Sequence, residues 1–245
     1  MTYGFAIDFF LQFMRPLFPY TFDPVFSPLL TVGSPATGAI LTIVVVSVAL
    51  AGILSLLYYA LMDLEKYQEI KDRREELNEK MGDSEDEDEM EQAKEHMSEM
   101  KELTMENMKV MMKPMLVSMV VFFLVLPWMY TTFIPVTQLS QSGGAYTGEL
   151  VFNGRSVPVE AVNGTKPSVV IDGENYTVGD SYMMKDLPWK VKAIDMEQGY
   201  VRFAAEIIQL PVSLPIFGDE LGWLGSYILI IIPFNLIFRK LLGIQ

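Results

Sequence analysis

Three stretches of the chain carry no charged side chain and are long enough to cross a hydrocarbon core of about 30 Å at about 1.5 Å per residue. They are Ala39 to Met62, Met115 to Ile134 and Leu221 to Phe238. Pro127 and Pro233 fall inside the second and third, which predicts a kink in each. Tyr58, Tyr59, Trp128, Tyr130, Trp223 and Tyr227 sit near the ends of the spans, where amphipathic rings anchor at the headgroup level. Between the first two spans the pattern changes to a helical period in polar surroundings. Leu64, Tyr67, Ile70, Leu77 and Met81 recur at three and four, a turn follows at Gly82-Asp83-Ser84 and the acidic run to Glu89, and Met90, Ala93, Met97, Met100, Thr104, Met108 and Met111 resume the seam. This spacing predicts an antiparallel coiled-coil hairpin. After the second span the period shortens to two. Apolar alternation over Ser156 to Val162, Ser168 to Ile171, Trp189 to Ile194 and Tyr200 to Ile207, separated by Asn-Gly, Asp-Gly and Gly-Asp pairs, predicts a small antiparallel β domain.

Basic residues orient this array. The loop from Leu61 to Pro114 holds nine Lys and Arg, and the C-terminal tail adds Arg239 and Lys240. Only Arg15 precedes the first span, and the Pro135 to Glu220 loop has no Lys or Arg close to either flanking span. The positive-inside bias therefore predicts an external N-terminus and a cytoplasmic C-terminus in a multi-pass protein of the cell membrane. The first 30 residues are rich in phenylalanine, and their only early charge is Asp8. That pattern fits an amphipathic helix over Tyr3 to Met14, lying in the outer interface and interrupted at Arg15-Pro16, better than a cleaved signal peptide. The expected organisation is an outer-face interfacial segment (1–38), a first span (39–62), a cytoplasmic hairpin (63–114), a second span (115–134), an extracellular β-rich domain (135–220), a third span (221–238) and a short cytoplasmic tail (239–245).

Composition narrows the chemistry. With no cysteine and one histidine, His96, in a stretch of Glu and Lys, thiolate metal sites, disulfides and thiol nucleophiles are excluded. A net charge of −13 argues against direct nucleic-acid binding; an acidic excess of this size is also the habit of halophilic proteins. No phosphate loop, dinucleotide fingerprint, serine nucleophile or catalytic carboxylate pair stands in a suitable context. The expectation is a protein that is not an enzyme and has no catalytic residue, metal or cofactor. Asn163-Gly164-Thr165 and Asn175-Tyr176-Thr177 are glycosylation tripeptides on the side where glycan transfer occurs, given the expected topology.

Two features point to binding. Ten of the 17 methionines lie between Met81 and Met119. Methionine is unbranched and polarizable, so a surface of it moulds to many apolar partners. Most of these residues belong to the expected seam, but Met108, Met111, Met112, Met115 and Met119 carry the stripe into the second span, as a slide for apolar segments would. The second feature is polarity inside the spans, costly in lipid unless it faces protein or water. Ser47 and Ser55 in the first span, Ser118 in the second and Asn235 in the third are the chief cases, and Arg239 follows Asn235 by one helical turn on the same side.

With these elements in place the chain resembles the archaeal YidC-like proteins of the oxidase-assembly insertase superfamily, which are related to the third subunit of the endoplasmic-reticulum membrane protein complex. The residues that carry the resemblance are Asp63-Leu64-Glu65-Lys66 leaving the first span, Met111-Met112-Lys113-Pro114-Met115 entering the second, Leu126-Pro127-Trp128 near its end, and Leu221-Gly222-Trp223 through Arg239-Lys240-Leu241-Leu242-Gly243 at the third. The resemblance implies a membrane-protein insertase and chaperone. It would receive nascent membrane proteins in a hydrophilic groove between three spans and release them into the bilayer without nucleotide, with the ribosome or a translocon as further candidate partners. Bacterial members place an arginine in the groove from the first span, whereas Ala39 to Met62 has no charge. Ser47, Ser55, Ser118 and Asn235 would have to supply the polarity here. A second reading is a membrane sensor that couples the external β domain to the coiled coil.

Overall fold

A computed structural model of the chain describes residues 11, 13–82, 90–142, 145–164, 166–214 and 218–244. Most of the expected interfacial helix over Tyr3 to Met14 and the expected turn from Asp83 to Glu89 lie outside the described residues, as do the side chains of Met81, Met90 and Ala93. The chain divides into two compact units, Met1–Leu50 with Phe123–Pro233, and Ala51–Phe122 with Phe234–Gln245. Among the described residues, three helices are long and apolar enough to cross a membrane: Pro35–Leu61, Met97–Phe133 within a longer helix, and Trp223–Leu241.

In the first unit, a 3-10 turn, Arg15–Leu17, leads into two short helices, α1 (Phe18–Thr21) and α2 (Asp23–Leu30). The interruption expected at Arg15-Pro16 is thus a tightened helical turn. A proline in the first turn of a helix gives up an N–H that had no partner there. Helix α2 is fastened through Trp128, whose indole Nε1–H donates to Asp23 Oδ1 at 2.7 Å. The rings of Phe22 and Phe26 stand 6.0 and 5.4 Å from that indole, so the buried Trp128 has both an apolar enclosure and a partner for its one donor.

Helix α3 (Pro35–Leu61) contains the run Thr42-Ile43-Val44-Val45-Val46. Its β-branched residues favour strands in water, but in lipid only a helix or a closed barrel satisfies the backbone. Its start is marked by Ser34, whose hydroxyl accepts the Thr37 N–H at 3.3 Å, with Pro35 as the first helical residue. The turn that precedes the strand residue Leu187 adds Asp186, whose Oδ1 accepts the Ala36 N–H at 3.3 Å. The Ser34 hydroxyl and the Ala36 amide hold the Asp186 carboxyl below its ordinary range, and the helix N-terminus favours the same charged form. Gly38 is where α3 crosses the end of α2: a Cβ there would overlap the Leu30 carbonyl.

The rest of this unit is two antiparallel sheets. One is built from β1 (Val136–Gln138), β9 (Tyr200–Leu214), β8 (Leu187–Asp195) and β7 (Ser181–Met184) in that order, with β10 (Gly218–Gly222) also on β9. The other runs from β2 (Ser140–Ser142) through β3 (Ala145–Phe152), β4 (Arg155–Val162) and β5 (Ser168–Ile171) to β6 (Glu174–Thr177). The expected Asn-Gly and Asp-Gly signals form the tight turns. Asn153 and Gly154 join β3 to β4 with φ of 54° and 66°, and Asp172 and Gly173 join β5 to β6 with 52° and 85°. Left-handed conformations at both positions match the twist of a two-residue hairpin. Leu150, Trp189, Val191 and Phe203 fill the core, and Phe152 links Trp189, 4.8 Å away, to Phe133 at 6.3 Å. The β core is therefore continuous with the end of a long helix.

That helix, α5 (Met90–Phe133), follows α4 (Leu64–Gly82) in the chain and runs for 44 residues, about 66 Å at the usual rise. The sequence reading separated a hairpin arm from a span at Pro114, yet the helix passes through it without a break. In the second unit, Lys66 pairs with Glu106 at 2.7 Å and Arg73 with Glu99 at 2.7 Å. One heptad forward on α4 is one heptad back on α5, so the two arms run antiparallel. Helix α6 (Trp223–Leu241) closes the described chain and contains Pro233; Leu221 and Gly222, expected in the third span, belong instead to β10.

Two stability measurements follow. Gly38→Ala should cost about 1–3 kcal/mol as an overpacking change and lower the unfolding temperature in detergent, whereas Gly52→Ala, whose Cβ would sit an ordinary 3.7 Å from the Phe238 ring, should not. A depressed Asp186 pKa contributes stability in full above the unfolded value of about 3.9 and loses it as pH falls through the lower folded value. The melting difference between the native chain and Asp186→Asn should accordingly be present at pH 6 and vanish in acid; a difference unchanged by pH would contradict it.

Candidate functional site

The residues expected to receive an apolar client fall on α5. Met108, Met112, Met115 and Met119 are 68, 56, 60 and 48% exposed. Their steps of four, three and four place them in one stripe, which Met105 extends toward the start of the helix and Leu116 and Val120 broaden toward the apolar end. Met111, expected in the same set, is half-buried and turns away from the stripe. The expected seam also shifts. Met97 and Met108 are exposed, as is Thr104, whose hydroxyl bonds back to the Met100 carbonyl at 2.8 Å. The inward face is instead Met100, Leu103, Asn107, Val110, Pro114 and Ser118. A methionine-based count could not separate two helical faces that both carry methionine; Leu103 and Val110 were the signal for the inner one. On α4 the inward residues are Leu64, Tyr67, Ile70 and Leu77 at the expected spacing.

The polar residues of the spans divide in two. Ser118 donates to the Pro114 carbonyl at 2.6 Å and Thr42 to the Gly38 carbonyl at 2.8 Å. Thr131 and Thr132 both bond to the Trp128 carbonyl, and Ser226 to the Gly222 carbonyl at 3.0 Å. These hydroxyls are used up on backbone carbonyls three or four residues earlier in the chain. Ser47 and Ser55 differ, because each is buried and its Oγ has no hydrogen-bond partner among the described residues. They lie in different units, Ser47 in the first and Ser55 in the second.

The second unit gathers most of the expected polar set. Asn235 is half-buried on α6, and one turn later the Arg239 guanidinium stands 4.9 Å from the centre of the Tyr58 ring on α3. A cation at this distance from an aromatic face is attracted by the ring quadrupole. The pairing of Tyr58 with Arg239 was not expected; Tyr58 read only as an interface anchor. Gly52, one turn before Ser55 on α3, faces the Phe238 ring, so Ser55 and Tyr58 follow the position where α3 meets α6. Asn163 and Asn175 of the glycosylation tripeptides are both exposed, the second on β6. Among the described residues, no three His, Asp or Glu side chains gather as a metal site.

The family model for integral membrane proteins of the EMC3/TMCO1-like type matches residues 23–153, more than half of the chain. The chain belongs to the EMC3/TMCO1-like family. That family lies within the YidC/Oxa1/Alb3/EMC3 superfamily, so a multi-pass membrane protein with an insertase-type role fits both the family and the three apolar helices. The match begins at Asp23, which holds Trp128, and runs through α3, α4 and α5 to the β3–β4 turn. Later strands and α6 lie beyond it. No curated protein and no solved structure matches the chain.

A buried hydroxyl without an acceptor destabilises by about 1–3 kcal/mol. Ser55→Ala should therefore melt at the same temperature as the native chain or higher. If Ser55 serves a groove, insertion of a client should fall in the same variant. A loss of stability would show instead that Ser55 is a satisfied structural residue.

Proposed function

We propose that this chain is a membrane-protein insertase that receives apolar segments of nascent clients along α5 and releases them into the bilayer without hydrolysing nucleotide. The observation that carries this reading is the exposed stripe Met108, Met112, Met115 and Met119. A helix of 44 residues is longer than the bilayer core, and the stripe runs from its charged half into its apolar half. An apolar segment that docks on Met108 stays on a continuous greasy surface until it is surrounded by lipid. Burial of the client's own apolar area then supplies the free energy.

In this reading α4 and the first half of α5 form an antiparallel coiled-coil hairpin in the cytoplasm, with the N-terminus and the β region outside and the C-terminus inside. The excess of Lys and Arg after the first helix and at Arg239 and Lys240 supports that orientation. Arg239, held over Tyr58, takes the place of the charge that the first span lacks. With Ser55, Ser118 and Asn235 of the same unit it gives a polar path for the short loop of a client. Each unpaired polar group of such a loop would otherwise cost several kcal/mol in hydrocarbon. The exposed Asn163 and Asn175 are acceptors for glycan in this topology.

Photocrosslinkers at Met108, Met112, Met115 and Met119 in a translating extract should capture a nascent apolar segment, and crosslinkers at the inward Leu103 and Val110 should not. Purified chain in liposomes should raise insertion of a single-span client several-fold without ATP, and Arg239→Gln should reduce that gain while Arg239→Lys retains part of it. Equal crosslinking from both faces of α5, or insertion no better than with an inert three-span protein, would overturn the proposal.

A further inference from the structure

In the first unit, the β1–β9 ladder and the turn at Arg15 enclose a pocket of about 500 Å³ that the insertase reading does not use. Its volume is in the range of small-ligand sites, roughly 300–1,000 Å³. The ladder explains what lines it. Val136 pairs with Arg202 and Gln138 with Tyr200, and residues directly opposite across an antiparallel pair share a face of the sheet. Thr137, Val201 and Phe203 point the other way and are buried. The outer face therefore carries a guanidinium, a phenol ring and an amide together, to which the 3-10 turn adds Arg15 and the β8–β9 turn adds Gln198.

Among the described residues that line this pocket, the charged side chains are Arg15 and Arg202, both cations. The Arg202 guanidinium stands 5.6 Å from the centre of the Tyr200 ring, and its Nε is buried without a hydrogen-bond partner among the described residues. Neither Arg15 nor Arg202 makes an ion pair among the described residues. The carboxylate of the adjoining turn, Asp195, already accepts the Gln198 N–H at 2.8 Å. A buried donor without an acceptor is costly, and two planar guanidinium forks suit an oxyanion with several acceptors.

The location selects the kind of anion. Phe133 ends α5 and Val136, the partner of Arg202, opens β1, so the pocket lies at the level where the apolar helix leaves the membrane. Leu11 and Pro16 give it one apolar wall. We propose that this pocket binds a phosphate group, that of an anionic phospholipid whose acyl chains lie along the apolar wall. Arg15 and Arg202 hold the phosphate oxygens, and Gln138 and Gln198 offer amide donors at the rim. The assignment rests on the chain being a membrane protein and is independent of the insertase reading.

Native mass spectrometry of the full chain released from nanodiscs tests it. From phosphatidylglycerol discs the native chain should retain one lipid, and from phosphatidylcholine discs none. Arg15→Gln and Arg202→Gln should each lower retention roughly tenfold, the effect expected for loss of one charge-assisted contact. Arg202→Lys should keep part of it, which guards against a folding defect, and Lys166→Gln, an exposed charge elsewhere in the β region, should change nothing. Retention that survives an excess of inorganic phosphate assigns the pocket to lipid; loss of lipid to that competitor assigns it to free phosphate. Equal retention of phosphatidylcholine, equal retention by Arg202→Gln, or displacement by an acidic peptide but not by phosphate would overturn the proposal.

Discussion

A backbone in hydrocarbon has no water to bond to, and the remainder of this structure is organised around that constraint. It turns Thr42-Ile43-Val44-Val45-Val46, a run of residues suited to a strand, into the middle of a 27-residue helix. It also explains why most of the Ser and Thr hydroxyls described in the spans bond back to a nearby backbone carbonyl. Ser118 with Pro114 and Thr132 with Trp128 are two such bonds. Set beside those, Ser47 and Ser55 are the exceptions, and the constraint is what makes them informative. A hydroxyl that could have bonded to its own helix, and is held without any described partner, is retained for a reason other than stability or is in contact with water.

The same constraint makes the membrane boundary the place where polar chemistry collects. At one end of the first span, Ser34 and Asp186 take up the N–H groups of Thr37 and Ala36, so the turn before β8 acts as a cap for a transmembrane helix. Nearby in chain terms, Trp128 gives its indole proton to Asp23, which fastens the aromatic entry segment to α5. These contacts bind the β region and the helix ends of the first unit into one body, and Phe133 beneath Phe152 completes the join with apolar area. The β region is thus more than an insertion looped between two spans. Its core begins on the last residue of α5 and its final strand, β10, hands the chain to α6 at Trp223.

How much of this could be read in the sequence depends on the range of each signal. Uncharged length and period-two alternation are local, and they found the three helices, the strands β4, β5, β8 and β9, and the Asn153-Gly154 and Asp172-Gly173 turns. Short or mixed strands such as β1, β2, β6 and β10 have no such pattern; they exist because β9, β3 and β5 offer edges to pair with. Pro114 lies inside α5 without ending it, as a proline can where neighbouring helices support the chain. Partners far apart in sequence, Asp23 with Trp128 or Tyr58 with Arg239, leave no periodic trace. The expected methionine seam failed for a related reason: apolar character marks both a packed face and a face meant for a partner, and Met100 and Met108 look alike until the fold divides them.

That division bears directly on the proposed function. If methionine on α5 served only the packing of α4 against α5, the residues with the best three-four spacing would be the buried ones. The less exposed line is instead carried largely by the half-buried Leu103, Asn107 and Val110 and the buried Pro114, and Met105, Met108, Met112, Met115 and Met119 stand on the exposed side. Large apolar side chains held out of the core ahead of the second span, as Met105, Met108 and Met112 are, carry a solvation cost, and an unbranched thioether keeps more conformers to offer a partner. A surface selected for fit to one fixed neighbour would favour stiffer residues, as promiscuous binding surfaces do not. Under the proposed function, the composition of the exposed stripe suits changing apolar occupants better than a single permanent one. The ion pairs Lys66–Glu106 and Arg73–Glu99 meanwhile hold the other face of the same helix in register.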